Sequence, residues 1–241
     1  MLIYSNKTLL KNMSKKPNIL FIMTDQQRLS AVSAYGQTPC QTPHIDRLAA
    51  EGTLFENAYT TFPVSSPARA SVLTGLYPHA HGVTANIHEV ACSMHELPDG
   101  TSAGQRRNEL VSLADVYPTV RDLSGDCSED HRSHGLSLIP LGCDEPIAWR
   151  DAVVTEFLGL GHIGTCMKTL RYGTLKYGYN LTYQDELYDL EKDPHEMRNL
   201  ATDPAYAEQL EELRDQLDDW MVETSDPALR MYRWHRRRLE T

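Results

Sequence analysis

The fold is constrained most strongly by a continuous apolar run near the start of the chain, Asn18–Met23. Runs of this kind are typical of parallel strands, because helices cover both faces of such a sheet. Asp25 follows almost at once, so we expect it at the carboxyl end of a strand, where open α/β sheets build their sites. With the Gln26 amide it offers oxygen ligands for a hard divalent cation. The alternative is a carboxylate that caps the next turn.

The next two segments follow the order of an α/β protein. Thr42–Gly52 has a capping threonine, a proline at the first helical position and a closing glycine, which together predict a helix. Thr53–Tyr59 is typical of a second strand. The succession of strand, helix and strand indicates a sheet flanked by helices.

The stretch Pro63–Gly75 predicts a serine at the start of a helix. Pro67 suits the first helical position, and Ser66 is placed to cap the free amides. Those amides and the positive end of the helix dipole would stabilise an anion such as sulfate or phosphate beside Ser65. Arg69, one turn further on, adds a positive charge. The alternative is an ordinary capped helix with an exposed arginine.

The order Ser65-x-Pro67-x-Arg69, followed by Leu73-Thr74-Gly75, resembles the signature of the sulfatase family. The resemblance implies that Ser65 is oxidised to formylglycine, and that Arg69 supports the hydrated aldehyde. A serine at this position resembles variants matured by a dedicated radical enzyme, so a serine-type maturation partner is implied. The aldehyde hydrate carries a second hydroxyl that can expel sulfate, whereas an ordinary serine sulfo-ester would be stable.

The same resemblance implies a cofactor and a substrate class. Asp25, Gln26 and the modified Ser65 would bind a divalent cation, expected to be Ca²⁺, with Mg²⁺ or Mn²⁺ as alternatives. The substrate would be the sulfate ester of a small molecule or a saccharide. Two histidines in Tyr77–Gly82 invite a metal interpretation, but a hydrogen-bonded loop is favoured because no cysteine or carboxylate stands at zinc-like spacing beside them.

The second half of the chain also resembles a sulfatase, from that family's closing part. Leu110–Gly125 has helical spacing with Pro118 as a kink or restart. Short alternating strands between residues 152 and 190 predict an antiparallel sheet, and Pro204–Val222, capped by Asp203, predicts a helix packed on it. The expected fold class is α/β, with a mixed, largely parallel sheet flanked by helices and a small C-terminal antiparallel sheet with its packing helix.

Three regions are expected along the chain. Residues 1–16 would be a disordered N-terminal extension, residues 17–150 a truncated sulfatase-like core, and residues 151–241 a C-terminal subdomain that ends in a basic tail. A typical sulfatase carries a long central section, with a Gly-Lys-Trp-His stretch, between the positions of Asn86 and Leu110, and this chain lacks it. Asp130-His131 is a weak candidate for replacing the metal ligands of that section.

Three functions therefore stay open. The first is a sulfate ester hydrolase that uses formylglycine and a cation. The second is a shortened, non-catalytic homologue that folds or forms a homo-oligomer to cover exposed sheet edges. The third is a phosphonate or phosphate diester hydrolase on the same scaffold, because the charge arrangement would accept either anion.

The composition restricts the classes of partner that the chain is expected to bind. The 241 residues carry a formal net charge of -10, which argues against a nucleic-acid or anionic-membrane binder, and the basic stretch Arg230–Arg238 is interpreted as a solvated end. An odd number of cysteines favours a reducing, cytoplasmic compartment over a disulfide framework. The N-terminal residues lack the pattern of a signal peptide or a membrane span.

Overall fold

The computed structural model describes residues 2–3, 19–25, 27–36, 38–86, 104–125, 133–143, 147–159 and 165–239. Four residues named in the sequence analysis lie outside these ranges: Asn18, Gln26, Asp130 and His131. Contacts between Cα atoms divide the chain into two compact units. The first comprises Met1–Ala58, Val72–Gly75 and Ala91–Arg150, and the second comprises Tyr59–Ser71, Leu76–Val90 and Asp151–Thr241.

The first unit contains short strands and helices. Its strands are β1 (Leu2–Ile3), β2 (Thr53–Phe55), β4 (Gln105–Arg107) and β5 (Val111–Ser112), and strand β3 (Ala58–Tyr59) begins in it. Strand β2 pairs in parallel with β4 and antiparallel with β1. The helices are Pro43–Glu51, Val116–Ser124 and the short Ile139–Gly142, with 3₁₀ turns at Leu29–Ala31, Ser33–Tyr35 and Leu113–Asp115.

The predicted helix Thr42–Gly52 is confirmed, with Pro43 at its first position. The helix predicted over Leu110–Gly125 begins later than expected, at Val116. A 3₁₀ turn, Leu113–Asp115, precedes the helix, and a capping box fixes the start of that turn: the Ser112 hydroxyl accepts from the Ala114 amide, and the Ser112 N–H donates to Asp115.

The predicted strand Asn18–Met23 is not formed, because residues 19–24 have no regular secondary structure. Ile19 is buried, but Leu20 is 57% and Ile22 is 70% exposed. A strand needs a hydrogen-bonded neighbour, and β2 is already paired on both of its edges. The run has the composition of a buried strand without the sheet that would cover it.

Asp115 organises the interior of the first unit. It is fully buried and accepts hydrogen bonds from the Ser112 and Leu136 amides at 2.7 and 2.8 Å. Both of its oxygens also accept from Arg150, at 2.6 and 3.0 Å. A paired guanidinium and two amides together satisfy a carboxylate that would otherwise be costly to bury.

The second unit is built on an antiparallel sheet. Its strands run in the order β6 (Ala152–Phe157), β7 (Met167–Tyr172), β8 (Leu175–Asn180) and β9 (Glu186–Asp189), as predicted for this part of the chain. The unit also contains the short helix Pro78–His81, a 3₁₀ turn at Pro204–Tyr206, the helix Ala207–Glu223, here called the long helix, and the helix Leu229–Leu239, here called the basic helix.

The long helix packs on the sheet through leucines spaced three or four residues apart, as its sequence predicts. Leu213, Leu217 and Met221 are buried against sheet residues such as Leu170 and Tyr177. The free thiol of Cys166 lies in the same core. Together these observations confirm the mixed α/β class with a small C-terminal antiparallel sheet and its packing helix.

The mutation Leu217→Ala should lower the free energy of unfolding by about 2–5 kcal/mol, because it opens a cavity in a fully buried core. Val222→Ala is the matched control, since Val222 lies on the same helix and is 50% exposed. Urea unfolding followed by circular dichroism measures both variants. Equal losses in the two variants would contradict this description of the core.

Candidate functional site

The predicted serine begins a helix, Ser65–Thr74, here called the motif helix. Ser65 and Arg69 are both exposed and stand one turn apart on the same face. The Ser66 amide donates to the side-chain oxygen of Asn86 at 2.9 Å, so Asn86, and not Ser66, satisfies a free amide of the first turn. Gly75 follows the last turn with φ of 69°, as expected for a residue that ends a helix.

A Ser–His pair lies on the buried side of the motif helix. Ser71 Oγ is 3.1 Å from His81 Nε2 and also accepts a hydrogen bond from the Thr61 hydroxyl. The Val83 amide donates to His81 Nδ1, so the ring proton is on Nε2 and points at Ser71. Burial lowers the pKa of His81, which keeps the ring neutral. This tautomer cannot take a proton from Ser71, so the pair fixes the helix to the following turn.

The predicted metal ligands are placed only in part. Asp25 lies in an exposed bend of the first unit, and Gln26 is outside the described residues. An exposed carboxylate is chemically suited to a hard cation. Asp25 therefore remains a predicted ligand, and so do Gln26 and Ser65.

The second unit contains a buried cluster of four ionisable residues, here called the buried quartet: His79, Glu156, Lys168 and Asp226. His79 Nδ1 lies 2.8 Å from Glu156 Oε1. Lys168 Nζ lies 2.5 Å from Glu156 Oε1 and 2.5 Å from Asp226 Oδ2. All four side chains are at most 2% exposed.

His79, Glu156 and Asp226 have the composition of a metal site, since their ligand atoms all lie within 4.8 Å of one another. The Lys168 ammonium, however, already contacts both carboxylates. A cation placed there would face that positive charge at close range in a poorly solvated site. The quartet therefore does not fit a metal ion, and Lys168 supplies the positive charge that a metal would supply.

The protonation of His79 follows from its partners. One ring nitrogen faces the Glu156 carboxylate and the other lies 3.2 Å from the Thr224 carbonyl oxygen. Both partners only accept hydrogen bonds, so both ring nitrogens must donate and the ring carries a positive charge. Burial alone would lower its pKa, but Glu156 and Asp226 outweigh that effect and raise it. Two cations thus balance two carboxylates in the quartet.

The quartet was not identified from the sequence, although one signal pointed to it. Glu156 and Lys168 interrupt apolar strands, and they face each other directly across β6 and β7. Charged residues at covered strand positions indicate a buried pair. Asp226 follows the long helix and offers no comparable pattern, so only the fold reveals it.

Two family models match the chain in overlapping segments. The model described as Sulfatase matches residues 17–117, and the model described as N-sulphoglucosamine sulphohydrolase, C-terminal, matches residues 90–223. The second covers more than half of the chain. The chain therefore belongs to the sulfatase family.

Individual relatives match shorter segments. An N-acetylglucosamine-6-O-sulfatase of Bacteroides thetaiotaomicron is 46% identical over 76 residues, which are 32% of this chain and 14% of the relative. An arylsulfatase of Clostridium perfringens is 46% identical over 111 residues, 46% of this chain and 23% of the relative. The chain thus spans only a fraction of the length of these relatives.

A solved structure supports the fold. A crystal structure of a protein from Bacteroides thetaiotaomicron that is assigned to the sulfatases aligns with 55% of this chain and with 30% of the Bacteroides chain, with 30% identity and a TM-score of 0.50.

Among the described helices, none has the length and apolar character needed to cross a membrane.

Replacing Lys168 tests the quartet. Lys168→Met should lower the free energy of unfolding by about 3–5 kcal/mol, because it leaves two buried carboxylates without their ammonium partner. Lys192→Met is the control, since the Lys192 side chain is 71% exposed in its ion pair with Asp189 and its loss should change stability little. Urea unfolding compares the two. A tolerated Lys168→Met would contradict the description of the quartet.

The quartet also predicts a dependence of stability on acid. Burial would raise the pKa of Glu156, but the hydrogen bond from His79 and the nearby Lys168 lower it from 4.5 to about 2. The carboxylate therefore stabilises the fold above about pH 4.5, and this contribution is lost as the pH falls toward 2. In Glu156→Gln, the free energy of unfolding should fall less steeply with pH over that interval than in the wild type. The control Glu212→Gln, at an exposed position, should show the same pH dependence as the wild type. Identical slopes in all three proteins would refute the assignment.

Proposed function

We propose that this chain carries the reactive part of a sulfate ester hydrolase that acts on sulfated saccharides, with a formylglycine derived from Ser65. The observation that carries the proposal is the motif helix, which presents Ser65 at its exposed start with Arg69 one turn behind it. Saccharides are favoured as substrates because the Bacteroides relative is named for N-acetylglucosamine-6-O-sulfate chemistry.

The surroundings of Ser65 suit this role. The hydroxyl makes no hydrogen bond to the described part of the chain, so it is open to a serine-type maturation enzyme and to substrate. The positive end of the helix and the Arg69 guanidinium favour an anionic ester group at this position. Oxidation of Ser65 would give an aldehyde, and addition of water to it would supply the second hydroxyl that allows sulfate to leave.

A divalent cation is part of the proposal. Asp25, Gln26 and the modified Ser65 would hold it, with Ca²⁺ favoured and Mg²⁺ or Mn²⁺ as alternatives, because these are oxygen donors of the type that hard cations bind. When bound, the ion would supply positive charge beside the sulfate oxygens. Arg69 would support the hydrated aldehyde from the helix. Among the described residues, Cys40, Cys143 and Cys166 form no disulfide, which supports the proposed reducing, cytoplasmic compartment.

The second candidate function is that of a non-catalytic homologue. The exposed apolar residues Leu20 and Ile22 favour it, because they lie in an apolar run that has the composition of a buried strand but, among the described residues, no neighbouring strand to cover it. Such a chain would fold, or associate with a second copy over these residues, without turning over substrate.

Hydrolysis of an aryl sulfate separates the two candidates. Protein co-expressed with a serine-type maturation enzyme should lose two hydrogens at Ser65 by intact mass and should hydrolyse the ester. Ser65→Ala should lower the rate at least about a thousandfold, because it removes the reacting group. Ser66→Ala is the matched control, since the neighbouring serine should leave the rate near that of the wild type.

Two further arms define the outcomes of this experiment. Removing divalent cations with a chelator should lower the rate, and added Ca²⁺ should restore it. An aryl phosphonate ester assayed alongside distinguishes the diester hydrolase alternative, which would be favoured by faster turnover of the phosphonate. Modified protein that is inert toward both esters would overturn the proposal in favour of the non-catalytic homologue.

A further inference from the structure

The basic helix has two unlike faces. Tyr232 is buried, donates its hydroxyl to the Arg214 carbonyl at 2.8 Å and meets the Tyr179 ring edge-on at 4.9 Å. Arg233 and Arg236 pair with acids of the long helix: Asp218 for the first, and Asp215 and Glu211 for the second. The charge on this face is therefore neutralised inside the second unit.

The other face, here called the outer face, consists of Arg230, Trp234, Arg237 and Arg238. Their spacing of four, three and one residues places them on one side of a helix. All four are exposed, and Trp234 is 54% exposed. Arg230 and Arg237 have no ion-pair partner among the described residues. These two guanidinium groups thus lie on the same helix face as Arg238, in a chain whose net charge is -10.

The outer face also contains an aromatic ring beside these positive charges. The Arg238 guanidinium lies over the Trp234 ring, 4.9 Å from its centroid, and more than half of the Trp234 surface remains exposed. An arginine fork suits planar, multiply charged oxyanions such as sulfate groups. A chain of sugar rings bearing sulfates offers both apolar faces and anions at short intervals.

We propose that the outer face of the basic helix binds a sulfated polysaccharide, at a place on the chain separate from Ser65. The choice of this polyanion rests on the proposed function, which makes sulfated saccharides the substrate class. A membrane is disfavoured, because the apolar residue Tyr232 of this helix turns inward and only Trp234 offers a large exposed ring on the outer face. Duplex nucleic acid carries a similar density of negative charge, so the experiment below includes it as a competing ligand.

Binding to heparin, a highly sulfated saccharide chain, tests the inference by titration at several salt concentrations. All proteins in the experiment carry Ser65→Ala, so the result does not depend on hydrolysis. We expect binding that weakens with salt, and a loss on the order of tenfold or more in the triple variant Arg230→Gln/Arg237→Gln/Arg238→Gln. Trp234→Ala, made by itself in the Ser65→Ala parent, should also weaken heparin binding, but most of the salt dependence should remain because the three arginines are still present.

The control removes the same charge elsewhere. Arg47→Gln/Lys192→Gln/Arg198→Gln changes three exposed cations outside the basic helix and should bind heparin as the parent does. Equal loss in both triple variants, or equal binding of desulfated heparin, would overturn the inference. Tighter binding to duplex DNA or to vesicles of anionic lipid than to heparin would also overturn it. If protein with Ser65 intact and modified hydrolyses neither ester while the Ser65→Ala parent binds heparin through the outer face, the proposed function fails and this inference stands.

Discussion

Taking an ammonium group out of water is costly unless anions surround it, and Lys168 lies fully buried between the carboxylates of Glu156 and Asp226. His79 adds a second positive charge, so the buried groups balance only when all four are present. Each residue comes from a different element: a short helix, two strands and the turn after the long helix. The charges therefore hold in place segments that are far apart in the sequence.

This balance also positions the proposed reactive residue. His79 is held by Glu156 and by the Thr224 carbonyl, and two residues later His81 contacts Ser71 in the motif helix. The short helix Pro78–His81 therefore connects the antiparallel sheet, through His79, to the motif helix, through His81. The start of that helix remains exposed, so Ser65 is attached to a buried core without being enclosed by it.

Local signals made parts of the fold predictable from the sequence. Pro43 and Gly52 mark a helix by their backbone preferences, and the leucines of the long helix show which face is buried. The prediction of a strand at residues 18–23 was wrong. Apolar composition indicates burial, but a strand also requires a second strand to pair with, and the composition of one segment does not show whether that partner exists. The basic helix was missed because its charges suggested solvent, although Tyr232 packs inward and acids of the long helix pair with Arg233 and Arg236.

The functional residues also fall into those that a local sequence pattern indicates and those that only the fold brings together. A short motif indicates Ser65 and Arg69, since their spacing is fixed by one helical turn. The quartet joins positions as far apart as 79 and 226, and only a folded sheet brings them together. Sequence spacing alone could not indicate that a lysine would complete a group resembling a metal site.

Cys166 gives the second unit an internal reporter of opening. Its thiol is buried in the core, and burial raises its pKa to about 11, so the reactive thiolate is scarce at neutral pH. Cys40 is exposed and should react with alkylating reagents at once. Peptide mass analysis would distinguish Cys166 from the other four cysteines, and its delay relative to Cys40 would time how often the antiparallel sheet separates from the long helix.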